Sequence, residues 1–104
     1  MSDTLIRIKR LILAKHYRFS RKAQLDMARD RISEEDVAEA IVNAPVIYKR
    51  IVSHDPESGA REYLYIISGF TFTGLIIYTK GKFLREAGNE EFYFLVPSKQ
   101  DVNV

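Results

Sequence analysis

Hydrophobic positions in the first 45 residues recur every three or four residues, which is the spacing of amphipathic helices. A first helix is predicted after a cap at Asp3 or Thr4, and a second after Ser20. A third is predicted after Ser33, because acidic residues follow that cap and suit the positive end of the helix dipole; Pro45 ends it. The predicted inward positions are Leu5, Ile8, Leu11, Ile12, Ala23, Leu25, Met27, Ala28, Ile32, Val37, Ala40, Ile41 and Ala44.

After residue 45 the chain changes to runs of β-branched and aromatic residues, which predict strands. The predicted strands span 46–53, 63–68 and 70–79, with a final hairpin over 83–96. The predicted connections are 16–19, 54–59, 80–82 and 88–89. We therefore expect the α+β class: two or three N-terminal helices packed on one face of an antiparallel β-sheet of about four strands. Residues 1–104 are expected to form a single domain.

The register of the final hairpin decides which side chains share a face. A two-residue loop places Phe83 opposite Phe94 and also Glu86 opposite Glu91. A three-residue loop separates the two acids but scatters the aromatic side chains over both faces. A like-charge pair costs roughly 0.2–1 kcal/mol, whereas exposing one Phe costs about 1.5–3 kcal/mol. We therefore expect the first register, with Tyr93 on the face opposite Phe83.

Composition excludes several classes of protein. The chain has 104 residues, of which 46% are hydrophobic, and this excludes a disordered chain. It has no Cys, which excludes a disulfide scaffold, a thiolate metal site and a cysteine nucleophile. Apolar runs fall short of the roughly 18 residues that a membrane-spanning helix needs, so we expect a cytoplasmic protein without membrane contact. No metal and no cofactor is predicted, because His16 and His54 lack converging ligands.

The net charge of +2 hides an uneven distribution. Residues 1–31 carry nine Lys or Arg and three Asp, a net +6, whereas residues 32–45 carry four acids and no base. The helix pair over 21–43 resembles a helix-turn-helix, but its second helix begins with Glu34 and Glu35, which repel DNA phosphates. We therefore expect a packed helical hairpin here instead of a DNA-reading element.

Basic and aromatic residues are interleaved in the basic segment and in the predicted sheet. Single-stranded nucleic acid binds this combination, since bases stack on rings while Lys and Arg contact phosphates. Metal-free RNA cleavage needs similar groups: a base, a cation and an acid. The candidate nucleic-acid-binding residues are Tyr17, Arg18, Arg21, Tyr78, Lys80 and Lys82. The candidate catalytic residues are Lys22, Tyr93 and Arg85. Solvated helix faces and half-buried strand tyrosines produce the same pattern, and both interpretations stay open.

The opening of the chain also resembles an uncharacterised protein family. The segments that carry the likeness are Tyr17–Ala23, Met27–Val37, Asn43–Ile47, Asp55–Pro56 and Tyr63–Tyr65. They resemble domain-of-unknown-function family 4258, whose small prokaryotic members are distantly similar in layout to RelE-like toxins. The resemblance implies a toxin-like protein that acts on RNA and has an acidic, antitoxin-like protein as partner. Lys22 stands where many members carry His, a departure that affects catalysis more than binding.

Two hypotheses about function remain. The first is a small RNA-binding or toxin-like, ribonuclease-related protein that contacts phosphate through a basic helical face and a basic hairpin. The second is a non-catalytic interaction module, either a homodimer or a binder of an acidic partner. The sequence leaves open whether a reaction is catalysed. The RNA hypothesis gains support if the basic residues of the helices and of the hairpin share one face with Tyr78 or Tyr93 between them, and it largely fails if they lie on opposite sides.

Overall fold

A computed structural model of the chain describes residues 2–86, 88 and 90–101. Its helices and strands are α1 (Asp3–Leu13), β1 (Tyr17–Phe19), α2 (Arg21–Asp30), α3 (Glu34–Asn43), β2 (Lys49–His54), β3 (Arg61–Phe70), β4 (Ile76–Arg85) and β5 (Glu91–Gln100). The strands form one sheet in the order β1-β5-β4-β3-β2, in which β1 runs parallel to β5 and the other neighbours are antiparallel. The α+β prediction is confirmed, with one strand more than expected.

The core lies between the three helices and one face of the sheet, which we call the helical face. Its fully buried large apolar side chains are Leu5, Ile8, Val37, Ile41, Ile67, Ile77, Tyr93 and Leu95. Helix α3 lies very close to β3 at Gly69, where an added Cβ would come within 1.9 Å of the Ala40 carbonyl oxygen. Only glycine fits this contact.

Helix capping follows the sequence with one correction. Ser20 and Ser33 cap α2 and α3 as predicted, and Ser33 forms a capping box with Asp36. The cap of α1 is Ser2, whose hydroxyl accepts the Leu5 N–H at 3.1 Å, and not Asp3 or Thr4.

The inward face of α2 was predicted only in part. Ala23 and Met27 are buried, but Leu25 is 60% exposed, Ala28 is exposed and Asp26 is buried. The reason is helical geometry, because residues two apart lie on opposite sides of a helix whereas residues three and four apart share a face. Leu25 therefore points away from the side that Ala23 and Met27 share.

The predicted connection at residues 16–19 contains a strand. Tyr17 pairs with Tyr93 and Phe19 with Leu95, and the Tyr93 N–H donates to the His16 carbonyl at 3.0 Å. A strand of three residues is too short to show a period of two, so its residue pattern carries no signal for a strand.

The predicted turn at residues 80–82 is instead part of β4, and the predicted strand at 70–79 is interrupted by the real turn. The Thr71 N–H donates to the Leu75 carbonyl at 2.9 Å, and Gly74 takes a φ of 91° that glycine adopts without strain. Gly81 has another role, because an added Cβ would lie 2.5 Å from the ring of Tyr93. The glycine makes room for the ring and does not bend the chain.

The expected hairpin register is wrong by one residue. Phe83 lies opposite Tyr93, and Arg85 lies opposite Glu91. This register brings Phe83 edge-on to Tyr93 with ring centroids 5.8 Å apart, and to Tyr65 at 5.6 Å. It also places Arg85 opposite Glu91, while Glu86 now lies opposite Glu90, whose carbonyl accepts the Glu86 N–H at 3.0 Å. The ring contacts of Phe83, and not the removal of a like-charge pair, therefore distinguish this alignment. Ala87 and Asn89, in the predicted turn region, lie outside the described residues.

Strand β5 contains a bulge near residues 96–97, because Thr79 pairs with Ser98 while Gly81 pairs with Leu95. Beyond Leu95, helix α2 takes over from β1 as the neighbour of β5. The Ser20 hydroxyl donates to the Val96 carbonyl, and the Asp30 carboxylate accepts the Gln100 N–H at 3.0 Å.

Candidate nucleic-acid interface

The sheet face opposite the helices is not covered by any helix of the described chain, and we call it the open face. Strand alternation and register assign its side chains, since the fully buried Ile67, Ile77 and Tyr93 mark the other face. Its members on the three central strands include Glu62, Leu64, Ile66, Ser68, Tyr78, Lys80, Lys82, Leu84, Phe92, Phe94 and Lys99. Aromatic, aliphatic and basic side chains are thus mixed on one surface.

A row of three open-face residues crosses three neighbouring strands. Arg18 of β1 and Lys82 of β4 both pair with Phe94 of β5, so the ring has a cation on each side. Neighbouring strands are about 4.8 Å apart, and the row therefore spans about two strand spacings. A flat base can stack on the ring while both cations contact phosphates.

Tyr78 forms a second aromatic position on the open face. The Lys99 ammonium lies 5.5 Å from the centre of its ring, and Ser68 is its neighbour on the other side. Burial, and to a smaller extent Asp101, raises the pKa of Tyr78. Its hydroxyl is therefore a neutral hydrogen-bond donor at physiological pH.

Two open-face cations are held by carboxylates. Arg18 pairs with Glu86 at 2.7 Å, and Lys82 pairs with Glu62 at 3.1 Å. All four side chains are partly exposed, and such pairs contribute only about 0–1 kcal/mol. A phosphate can therefore compete for these cations. Lys80, which lies opposite Ile66 of β3, has no ion-pair partner among the described residues.

Two predicted nucleic-acid-binding residues, Tyr17 and Arg21, and the predicted catalytic residue Lys22 lie away from the open face. Tyr17 points to the helical face, where burial and then Glu34 and Glu35 raise its pKa. The carboxylates make this location unfavourable for phosphate. Arg21 and Lys22 are exposed on the first turn of α2, and Lys22 pairs with Asp26 at 3.3 Å.

The three predicted catalytic residues have separate surroundings. Tyr93 has no exposed surface, and its hydroxyl lacks a hydrogen-bond partner within the described chain. Burial also raises its pKa. Arg85 lies at the end of β4 and pairs with Glu91 at 3.4 Å, whereas Lys22 belongs to the Asp26 pair on α2. A ligand on the surface reaches Lys22 or Arg85 but not the enclosed Tyr93.

Sequence reasoning missed two cavities. The first is a cleft of about 310 Å³ between β3 and β4, lined by Arg7, Arg61, Glu62, Tyr63, Tyr65, Lys82 and Phe83. Its cationic side chains come from three distant parts of the chain, so no local sequence motif predicts the cleft. The second is a groove of about 630 Å³ between α1 and α3, with Leu13 and Phe72 exposed on its walls and Glu34 and Glu35 at its rim.

Among the residues that the structure describes, no three His, Asp or Glu side chains lie close enough together to hold a metal ion. None of the described helices has the length and apolar character needed to cross a membrane. Comparisons with protein-family models, with curated proteins and with solved structures found no match. The likeness to family 4258 thus stays a prediction.

Proposed function

We propose that this chain binds single-stranded RNA on the open face of its sheet. The observation that carries the proposal is the row in which Phe94 lies between Arg18 and Lys82. Tyr78 and Lys80 lie on the same face, so four of the six predicted nucleic-acid-binding residues share one surface. Sheets that present aromatic rings and basic side chains in this way stack unpaired nucleobases on the rings and bind the phosphates of the nucleic-acid backbone.

The geometry favours a single strand over a duplex. Phe94 lies on an interior strand of the sheet and not on a projecting helix, so only a splayed nucleobase can lie flat on it. The helix that would have to read a major groove begins with three acids, Glu34, Glu35 and Asp36. Duplex phosphates are repelled there.

Cleavage of the bound strand is the ribonuclease-related part of the proposal, and it needs a proton donor on the same face. Tyr78 supplies a phenol hydroxyl on the open face. Its raised pKa keeps the hydroxyl protonated, and Lys99 lies beside its ring. We expect any cleavage of RNA to fall when Tyr78→Phe removes the hydroxyl but keeps the ring. Binding that is unchanged in this variant would separate catalysis from affinity.

Binding is tested by fluorescence anisotropy with a labelled single-stranded RNA at two salt concentrations. The double variant Lys80→Gln, Lys82→Gln is expected to bind more weakly, and the magnitude of its salt slope should fall by about 1.4, because each phosphate contact on a single strand contributes about 0.7. Phe94→Ala is expected to lose about 1–3 kcal/mol through lost stacking, with the salt slope unchanged.

The matched control is Arg10→Gln, which removes one exposed base from α1 on the opposite side of the molecule. Its affinity should equal that of the unmodified chain. RNA binding that is absent, insensitive to salt, or weakened equally by the control would contradict the proposal.

The second hypothesis, an interaction module, is favoured by one observation. The partly exposed Leu64 and Leu84 give the open face an aliphatic part that nucleobases do not require. A homodimer or a complex with an acidic partner through this face would bury these side chains. Sedimentation of the chain at rising concentration tests the homodimer, and Leu84→Lys is expected to abolish any dimer that uses the open face.

A further inference from the structure

The sheet divides at one point, and a cleft lies there. The hydrogen-bonded ladder between β3 and β4 runs from Phe70 and Ile76 to Tyr65 and Gly81 and then ends. The remaining residues of β3, 61–64, pair only with β2, while the last residues of β4 continue along β5. The cleft of about 310 Å³ is lined by both separated strands and by α1.

Positive charge converges on this cleft from separate elements. Arg7 of α1, Arg61 of β3 and Lys82 of β4 line it. Arg50 of β2 joins them, because its guanidinium carbon lies 4.5 Å from the centre of the Tyr63 ring, and that of Arg61 lies 5.8 Å from the same ring.

The two acids near the cleft are already engaged. Glu62 accepts a hydrogen bond from Lys82 at 3.1 Å, and Glu91 accepts one from the Arg7 Nε at 2.9 Å. Neither Arg50 nor Arg61 has an ion-pair partner among the described residues. Asp55 also interacts with Lys82 through its charge. Two guanidinium groups at or beside the cleft, those of Arg61 and Arg50, thus lack an ion-pair partner, and guanidinium groups bind phosphate in a bidentate manner.

Aromatic rings complete the cleft. Tyr65 and Phe83 meet edge-on with centroids 5.6 Å apart, and Arg7 stacks 3.8 Å above the Phe83 ring. Tyr63 is more accessible, with 36% of its surface exposed. A partly exposed ring beside guanidinium groups that lack an ion-pair partner offers a nucleobase or a ribose a surface while its phosphate is held.

We propose that this cleft binds the phosphate group of one nucleotide, with Arg61 as the main phosphate ligand and Tyr63 contacting the attached nucleoside. The volume is at the lower end of small-ligand cavities, which suits one nucleotide and no more. The inference deepens the proposed RNA binding, on which its assignment to an RNA nucleotide rests, because Lys82 borders both the cleft and the open face.

The test measures binding of three probes by NMR titration of the full chain: inorganic phosphate, AMP, and a uridine trinucleotide without a terminal phosphate. We expect AMP to bind more tightly than inorganic phosphate, because only AMP also contacts Tyr63. Arg61→Gln should weaken AMP binding at least tenfold. Arg61→Lys keeps the charge but loses the bidentate geometry, so its affinity for AMP should lie between those of the unmodified chain and Arg61→Gln.

Lys80→Gln and Arg10→Gln separate the cleft from the open face. Lys80 belongs to the open face and does not line the cleft. Lys80→Gln is therefore expected to weaken RNA binding but to leave AMP binding unchanged, and Arg10→Gln should change neither.

Two results would overturn the cleft assignment: no binding of AMP at millimolar concentration, or equal binding of AMP by Arg61→Gln and the unmodified chain. Binding of the trinucleotide reports on the open face. If AMP binding depends on Arg61 while RNA binding is absent, the cleft stands and the open-face proposal fails. Retention of cooperative urea unfolding by Arg61→Gln shows that a loss of binding is not a loss of folding.

Discussion

Single glycines determine how closely the layers of this molecule pack. At Gly69 the obstacle to a side chain is the backbone carbonyl of Ala40, whereas at Gly81 it is the movable ring of Tyr93. A backbone atom in the middle of α3 cannot shift without moving the helix, while a ring can tilt. The two positions therefore differ in how much a methyl group costs.

We predict that Gly69→Ala destabilises the protein by about 3 kcal/mol, the upper end of the range for overpacking, because the new Cβ would meet the Ala40 carbonyl. Gly81→Ala should cost less. Urea unfolding followed by circular dichroism measures both. Ser68→Ala, one residue away on the open face, is the control and should change stability by less than about 0.5 kcal/mol. A Gly69→Ala variant as stable as this control would show that α3 is not held so tightly.

Glu91 gives the molecule a pH-dependent contribution. The hydrogen bonds from Arg7, followed by the charges of Arg7 and Arg85, lower the pKa of Glu91 against the opposing effect of burial. A folded-state pKa below the unfolded one stabilises the protein above the unfolded value, and this contribution is lost as the pH falls through the folded value.

We therefore predict that Glu91→Gln lowers the free energy of unfolding at neutral pH by up to about 1 kcal/mol, the range for exposed ion pairs. The difference from the unmodified chain should vanish in acid, well below the ordinary Glu pKa of about 4.3. Urea titrations at a series of pH values measure it. A difference that stays constant from neutral pH to acid would argue against the Arg7 pair as its source.

At the scale of elements, each helix begins at a serine, but the three serines do different work. The Ser2 and Ser33 hydroxyls accept a backbone N–H of their own helix. The Ser20 hydroxyl accepts the Ala23 N–H at 3.0 Å and also donates to the Val96 carbonyl on β5. Ser20 thus joins two elements that are 76 residues apart.

We predict that Ser20→Ala costs more than Ser2→Ala, for which loss of a cap alone is worth about 0.5–2 kcal/mol. The expected excess of about 1 kcal/mol comes from the additional, partly buried hydrogen bond to Val96. Chemical denaturation of the two single variants provides the comparison. Equal losses would mean that the Val96 contact contributes nothing to stability.

How far the sequence could predict these elements depended on their length and on what surrounds them. Long periodic segments such as α3 were predictable because spacing and capping agree. Strand β1 was not, since three residues carry no period and the strand exists only because β5 pairs with it. Residues 80–82 looked like a turn because the reason for Gly81, the ring of Tyr93, is a tertiary contact.

At the scale of the molecule, the site depends on register more than on composition. The sequence identified Arg18, Tyr78, Lys80 and Lys82 as a group, and strand pairing places them on one face. It did not identify Phe94 between Arg18 and Lys82, because a shift of one residue moves every side chain to the other face. The cleft could not be predicted from the sequence, because Arg7 and Arg61 come together only in the folded structure.

Strand β5 joins most of the molecule, with contacts to β1, β4, α1 and α2. The expectation of a single domain therefore leads to a prediction: a chain that ends at residue 90 should show no cooperative unfolding transition. A chain that ends at residue 101 is the control and should unfold cooperatively. Thermal melts followed by circular dichroism distinguish the two. A cooperative transition in the shorter chain would mean that the helices and the first strands fold as a separate unit.

The bond from Ser20 to Val96 and the bond from Gln100 to Asp30 have a consequence for self-association. Along the second half of β5 they fill positions that an added strand would need, so aggregation by edge pairing is blocked there. Among the described strands, the longer unprotected margin is β2, where Lys49, Arg50 and His54 are exposed. These charged or ionisable side chains oppose edge pairing, and replacing them with apolar residues is expected to make the β2 edge a template for fibril growth.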